Sequence, residues 1–219
     1  MKLFLWGAGG HGKVVYDVVA STGVFEEIAF VDDDPGGRSE YSGAAVLGNS
    51  DVLDKLRQRG FGWFLISIGV NATRAKCYRI ALGHGLLPAT ATHPSAVVSA
   101  SAAIGPGTVV MPKAVINAGA QVGENCIINT GAIVEHDCRV GNHVHVSPGA
   151  VLGGGATVEE CAHVGIGAVI LPEARVEAAA MVGAGAVVLR SVPAGATVVG
   201  IPASRVLRVS ARGIKSRGG

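Results

Sequence analysis

From residue 98 to residue 188 every sixth side chain is aliphatic, without a slip: Val98, Ile104, Val110, Ile116, Val122, Ile128, Val134, Val140, Val146, Leu152, Val158, Val164, Ile170, Val176, Val182 and Val188. Four residues after each, the side chain is small, as at Ala114, Ala120, Cys126, Ala132 and Cys138, and glycine often follows the aliphatic position. A six-residue repeat is the signature of a hexapeptide β-helix. Each hexapeptide makes one flat face, and three faces make one triangular coil of 18 residues. The aliphatic side chain points inward and stacks on its equivalent one coil away. The small residue fits near the corner, where bulk has no room. Sixteen hexapeptides predict about five coils. Each buried aliphatic side chain contributes roughly 1.5–3 kcal/mol, so stability accumulates along the stack. No insertion interrupts the series, so no long loop leaves the helix. After Val188 the register is expected to be lost, beginning with a turn at Ser191–Gly195.

All ten aromatic residues lie between Phe4 and Tyr78, in a chain of 219. Two different architectures are therefore joined. A hydrophobic fraction of 49% against 16% charged residues excludes a disordered chain. No apolar run reaches the roughly 18–20 residues of a membrane helix, and a net charge of +2 argues against a dedicated nucleic-acid binder. Cys77, Cys126, Cys138 and Cys161 show no disulfide framework and no zinc spacing. The N-terminus runs straight into a strand-like segment, so a cytoplasmic location is expected. The expected domains are 1–92, 93–207 and a flexible basic tail, 208–219.

The first 92 residues read as strands alternating with helices, which implies a small parallel sheet. Strands are predicted at Lys2–Trp6, Ile28–Val31, Trp63–Ile68 and Leu86–Ala91. Val14, Val15, Val18 and Val19 recur at helical spacing. Ser50 or Asp51 is expected to cap a helix through Gln58, and Asn71 the next, roughly Ala72–Leu82. Between the first strand and the first helix lies Gly7-Ala8-Gly9-Gly10-His11-Gly12, with Asp32 and Asp33 some 20 positions on. This is the dinucleotide fingerprint, whose glycines let backbone N–H groups approach a diphosphate at a helix N-terminus. Either aspartate is suited to accept hydrogen bonds from ribose or sugar hydroxyls. About 90 residues make only half of a doubly wound domain, so a nucleotide sugar is favoured over NAD. A Gly-rich turn with no ligand is the third reading.

The histidines separate on the hexapeptide frame. His136 lies two places after Val134, within Glu135-His136-Asp137, where flanking carboxylates orient it and raise its basicity. It is a candidate general base or a solvated surface residue. His145 and His163 are 18 apart and stack on one face. Some β-helix trimers hold zinc through histidines five residues apart, but no two histidines here have that spacing, so no metal is expected.

The combination resembles the left-handed β-helix acyltransferases, and within them the nucleotide-sugar N-acetyltransferases that act on UDP-bacillosamine precursors or GDP-perosamine. Some relatives bear the name sialic acid O-acetyltransferase. The resemblance covers about residues 2–207. It rests on Gly7–Gly12, Val31-Asp32-Asp33, Ser67-Ile68-Gly69-Val70-Asn71, Glu135-His136-Asp137 with His145, and Gly200-Ile201-Pro202-Ala203. It implies a Rossmann-like N-terminal domain followed by a left-handed parallel β-helix. It implies His136 as catalytic base, polarised by Asp137, where the family often has Glu. Gly9, Gly10, His11, Asp32, Asp33, Gly69 and Asn71 would hold the nucleotide sugar. His145, Gly154, Ile166 and Ala184 would line the acetyl-CoA site.

The resemblance further implies a homotrimer with acetyl-CoA in the groove between neighbouring β-helices, so that each site would borrow from two chains. The expected reaction is direct attack by the amine, probed against O-acetylation of sialic acid or another sugar on the same fold. No cysteine is a convincing nucleophile, because Cys126 and Cys138 fall on small inward positions. The family points to a 4-amino-4,6-dideoxy sugar. The nucleotide base carries no readable code.

Overall fold

The computed structural model describes residues 1–203 and 205–207. Lys2–Trp6 is a central strand of a four-stranded parallel sheet. Glu27–Val31 pairs on one side and Phe61–Ile66 on the other, with Leu87–Pro88 beyond. The helices are α1 (Gly10–Ser21), α2 (Leu53–Gln58) and α3 (Asn71–Gly83). From α1, Val15, Val18 and Val19 pack onto Leu3 and Leu5, while Val14 faces outward. From α2 and α3, Leu53, Leu56, Tyr78 and Ala81 cover the other face against Phe4, Trp6 and Phe64. The rings are concentrated here because a sheet with helices on both faces has thick layers to fill.

Three local expectations are corrected. Asn49, not Ser50 or Asp51, caps the second helical segment, by accepting from the Asp51 N–H, and that segment opens with a 3-10 turn at Ser50–Val52. The Ser50 N–H is taken by Asp33. The N-cap of α3 is Val70, and Asn71 is its first helical residue, because the Asn71 side chain is drawn toward the solenoid. The predicted strand Leu86–Ala91 divides at Ala89. Its N–H donates to Phe64 while its carbonyl accepts from Gly107. Leu87–Pro88 stays on the small sheet and Ala91–Thr92 becomes the first rung of the solenoid, pairing with Val109–Val110.

From there the chain winds into a parallel β-solenoid of about six turns, with the features of a left-handed β-helix. Each two-residue strand pairs with the one a coil later, as in Ile128↔Val146 and Val146↔Val164. The inward column from Val110 to Val188 is buried, together with the small residues at the corners. The first face runs through Ala91–Thr92, Ile127–Ile128, His145–Val146 and Met181–Val182, the second from Val97–Val98 to Val187–Val188, and the third from Ala103–Ile104 to Ser191–Val192.

The register is not lost after Val188. Val192 pairs with Val176 and Val198 with Val182, so one corner is two residues shorter and the stack continues. Of the expected turn Ser191–Gly195, Ser191–Val192 is instead a strand and only Pro193-Ala194-Gly195 turns. Arg205–Leu207 then runs antiparallel to Thr197–Val199 and covers the end of the first face. The expected basic tail, 208–219, lies outside the described residues.

The three faces differ in what they show outward. On the first, Ala91, Val109 and Ile127 are buried beneath the small domain. On the third, the outward residues include Gln121, Arg139, Thr157 and Arg175. On the second they are all β-branched and aliphatic: Val97, Val115, Ile133, Val151, Val169 and Val187. Val97 is 63% exposed and the others are half-buried.

Candidate active site

His136 and Asp137 occupy the corner between the second and third faces. Asp137 has φ 60°, the left-handed conformation that aspartate tolerates better than most residues. Its Oδ2 lies 2.9 Å from Nδ1 of His136. An ionised carboxylate only accepts, so the imidazole proton sits on Nδ1 and the Nε2 lone pair is free. The His136 side chain is 64% exposed. Its pKa is raised above 6.5, first by the Asp137 hydrogen bond, which outweighs desolvation, and then by the charges of Asp137 and Glu135. Gly119, one coil before Asp137, leaves the carboxylate its room: a Cβ there would come 2.7 Å from Asp137 Oδ1. The corner therefore presents an oriented, solvent-facing base.

In the small domain a cavity of about 460 Å³ is lined by Gly9, Gly10, His11, Asp32, Asp33 and Gly69, among others. The first strand and α1 pass in contact, so that a Cβ on Gly12 would collide with the Gly7 carbonyl. The N-cap of α1 is Gly9, with no side-chain cap. The first-turn N–H groups are thus open to an anion, as a diphosphate requires. Asp32 and Asp33 do more than line the cavity. Asp32 accepts from the Ala8 N–H at 2.6 Å and the Asp34 N–H at 2.8 Å, and Asp33 from the Ser50 N–H at 2.8 Å and the Trp6 indole at 3.2 Å. Every carboxylate oxygen already holds the loop, so a sugar hydroxyl would use the second lone pairs.

His11 leads from this cavity to the solenoid. Its ring centroid lies 6.2 Å from that of His145, which stacks 4.7 Å from His163. Burial, then the Arg74 charge, lowers the His11 pKa to about 4. His145 is 9% exposed and is lowered to about 3, first by burial and then by His163, Arg74 and His11. The Asn129 amide N–H₂ donates to its Nε2 at 3.0 Å, which leaves the proton on Nδ1. That Nδ1 is buried against the Gly69 backbone. His163 is likewise lowered by burial and Arg74, and its Nε2 lies 2.9 Å from Ser147 Oγ.

His145 and His163 wall a second, mainly apolar cavity of about 610 Å³, lined also by Gly69, Val70, Asn71 and Met181. Gly69 borders both cavities. Asn71 stands apart from the other expected sugar-binding residues. Its Nδ2 donates to Cys161 and Ala162 at 2.9 Å, and its Oδ1 accepts from Arg74.

The expected acetyl-CoA residues do not meet within one chain. His145 faces the second cavity. Gly154 lies one coil after His136, on the same corner. Ile166 and Ala184, also one coil apart, are exposed on the corner between the first and second faces. The second face separates these two corners within the chain. Sequence reasoning missed Arg74, Asn129 and Ser147. Asn129 and Ser147 are 18 apart, like His145 and His163, and that spacing was the available signal; a lone arginine inside a helix gives none. Among the described residues, no group of three or more His, Cys, Asp or Glu side chains is placed to hold a metal ion.

The family described as PglD N-terminal domain matches residues 2–81. The bacterial transferase hexapeptide family (six repeats) matches residues 119–154. Among solved structures, PerB from Caulobacter crescentus, in complex with CoA and GDP-perosamine, is 40% identical over 95% of this chain and 98% of that one, with a TM-score of 0.90. The acetyltransferase domain of PglB from Neisseria gonorrhoeae, in complex with acetyl coenzyme A, is 39% identical over 94% of this chain and 98% of that one, with a TM-score of 0.89. WeeI from Acinetobacter baumannii AYE is 30% identical over 94% of this chain and all of that one (100%), with a TM-score of 0.84.

Proposed function

Because the chain belongs to the hexapeptide-repeat N-acetyltransferases of amino sugars that carry a PglD-type N-terminal domain, we propose that it moves the acetyl group of acetyl-CoA to the amine of a nucleotide-linked 4-amino-4,6-dideoxy sugar. His136 is the general base. Gly9, Gly10, His11, Asp32, Asp33 and Gly69 hold the nucleotide sugar, with Asn71 bracing the wall beside it. His145, Gly154, Ile166 and Ala184 line the acetyl-CoA groove. The observation that carries this reading is the His136–Asp137 pair, 2.9 Å apart, with its Nε2 open to an incoming amine.

The chemistry follows from that pair. The neutral sugar amine attacks the thioester carbonyl. As the N–C bond forms, Nε2 of His136 takes the amine proton, and Asp137 stabilises the imidazolium. When the C–S bond breaks, the imidazolium proton neutralises the departing thiolate as CoA thiol. The charge on the carbonyl oxygen needs donors already in place. Backbone N–H groups of the Gly-rich corners are suited to that task.

We further propose a homotrimer. The aliphatic row on the second face supports it, since six in-register β-branched side chains make a surface suited to a second copy. Packing across that face would bring the His136–Gly154 corner of one chain to the Ile166–Ala184 margin of the next and complete the site. Four free cysteines suit a reducing cytoplasm, where we place the reaction.

The test is thiol release from acetyl-CoA with UDP-, GDP- and dTDP-linked 4-amino sugars and free sialic acid. Turnover with one nucleotide-linked amino sugar is expected. Turnover with sialic acid alone would overturn the N-acetyltransferase reading.

A further inference from the structure

Arg74, on α3, is 1% exposed and is among the largest fully buried side chains. Among the described residues, no carboxylate is one of its hydrogen-bond partners. Its Nε donates to the Asn125 carbonyl at 2.9 Å, and its Nη2 to the carbonyls of His143 at 2.7 Å and Val144 at 3.3 Å, all in the solenoid. Its Nη1 donates to the carbonyls of Ile68 at 3.2 Å and Gly69 at 3.1 Å, and Nη2 also to Asn71 Oδ1 at 2.8 Å, all in the small domain. Asn125 returns a bond to the Arg74 carbonyl and another to Nδ1 of His143.

A buried guanidinium is costly unless its N–H groups are satisfied. Here carbonyl dipoles and one amide oxygen perform that task, split evenly between two domains. Only a planar fork with donors on several sides reaches all of them at once; a lysine ammonium is a point charge on a flexible stem. The carbonyls it grips in the small domain belong to the loop that borders both cavities. Those it grips in the solenoid end one residue before His145.

We propose that Arg74 is a positioning residue: its fork fixes the Ile68–Gly69 loop at a set height against the His143–His145 rung, and so aligns the sugar-nucleotide cavity with the acetyl-transfer groove. The consequence for turnover rests on the function proposed above. The mechanical role does not. The buried charge also acts on the nearby imidazoles. Together with burial it keeps His11, His145 and His163 neutral.

The test uses Arg74→Lys and Arg74→Met in the full-length chain. Four quantities are read: melting temperature, calorimetric binding of GDP and UDP, exchange of the residue-74 amide, which donates to the Val70 carbonyl at 2.8 Å, and steady-state kinetics. For a positioning residue, both variants keep the nucleotide affinity of the wild type within about threefold. Their residue-74 amide exchanges at least about tenfold faster, and kcat falls by about 10- to 100-fold, in line with misplacement of reacting groups by about an ångström. In Arg74→Met the His145 imidazole titrates closer to the ordinary range; in Arg74→Lys it stays low, which separates charge from fork.

A purely structural clamp would lower the melting temperature and leave kcat per folded site and the amide exchange unchanged, and that result overturns the proposal. If the arginine variants do not fold, Asn71→Ser removes one guanidinium partner and is read by the same exchange measurement. If the wild type transfers acetyl to no acceptor, the proposed function fails, while the exchange data still decide the role of Arg74.

Discussion

A Cβ added to Gly154 would come within 2.5 Å of Nε2 of His136. The two residues are one coil apart, and the glycine forms the floor on which the imidazole rests. Gly154→Ala is expected to push the ring off its line with Asp137. Because the ring is largely exposed, the displaced side chain finds solvent and the fold is little strained. We expect kcat to fall by about 10- to 100-fold, with the melting temperature nearly unchanged. Steady-state kinetics and calorimetry on one preparation check both halves.

His136→Ala should lower kcat by about 10²–10⁴-fold while acetyl-CoA still binds. The pH profile gives a sharper reading. A base works when neutral, so kcat/KM should climb with pH and level off above a midpoint higher than 6.5, the ordinary histidine value. Asp137→Asn removes the group that raises it. The climb should then move to lower pH, with a lower plateau. A profile indifferent to residue 137 would remove Asp137 from the mechanism.

Complementation tests whether sites are shared. His136→Ala removes the proposed base. Gly10→Asp, where a side chain meets nothing within 4 Å, places a carboxylate at the proposed diphosphate position and should disable nucleotide binding. Each variant alone should be inactive. Co-refolded at equal amounts, they should recover about one quarter of wild-type turnover if each site draws on two chains. If every site lies within one chain, recovery is nil.

The aliphatic second face is open to a direct challenge. Val151→Glu sets a charge in the middle of the row without touching the inward column, where Leu152 is buried. Sedimentation should show a monomer that keeps its circular dichroism but has lost acetyl transfer. A trimer that persists would locate the subunit interface elsewhere.

Acid should unfold this protein through its neutral histidines. The unfolded chain binds protons below pH 6.5, whereas folded His11 and His145 resist until about 4 and about 3. Their stabilising contribution is complete above pH 6.5 and is lost as pH falls toward those values. Each imidazole contributes a slope of about 1.4 kcal/mol per pH unit in that window. Urea titrations at pH 7, 6 and 5 should show the decline, and His145→Gln should remove roughly half of the slope due to this pair.

Much of this is readable in the sequence alone. The period of six gave the inward column, the corner residues and the stacking of His145 on His163, because a β-helix converts sequence spacing directly into position. The fingerprint gave the cavity at Gly9, Gly10 and His11 for a similar reason: a strand, a turn and a helix are local in sequence. What stayed hidden is non-local. The bonds from Arg74 to Asn125 and His143 join distant segments, and no periodicity announces them. The return of register at Val192 was missed because the count breaks there while the backbone pairing does not. The separation of His136 from Ile166 and Ala184 follows from the triangular cross-section and became plain only when faces could be assigned.

The 18-residue coil turns the solenoid into a graduated scale. Height along the prism comes in whole rungs, each about 4.8 Å. Two of the marks that moor the small domain are Val109 on one rung and, through Asn71, Cys161–Ala162 higher up, with the Arg74 bonds to Asn125, His143 and Val144 between them. An 18-residue duplication inserted after Val188 would lengthen the prism and leave both moorings in place. The same duplication between Val110 and Ile128 would part them by one rung and tear the loop at Gly69 from its seat beside His145. Length variation in such a chain is therefore tolerable beyond the upper mooring and forbidden between the two.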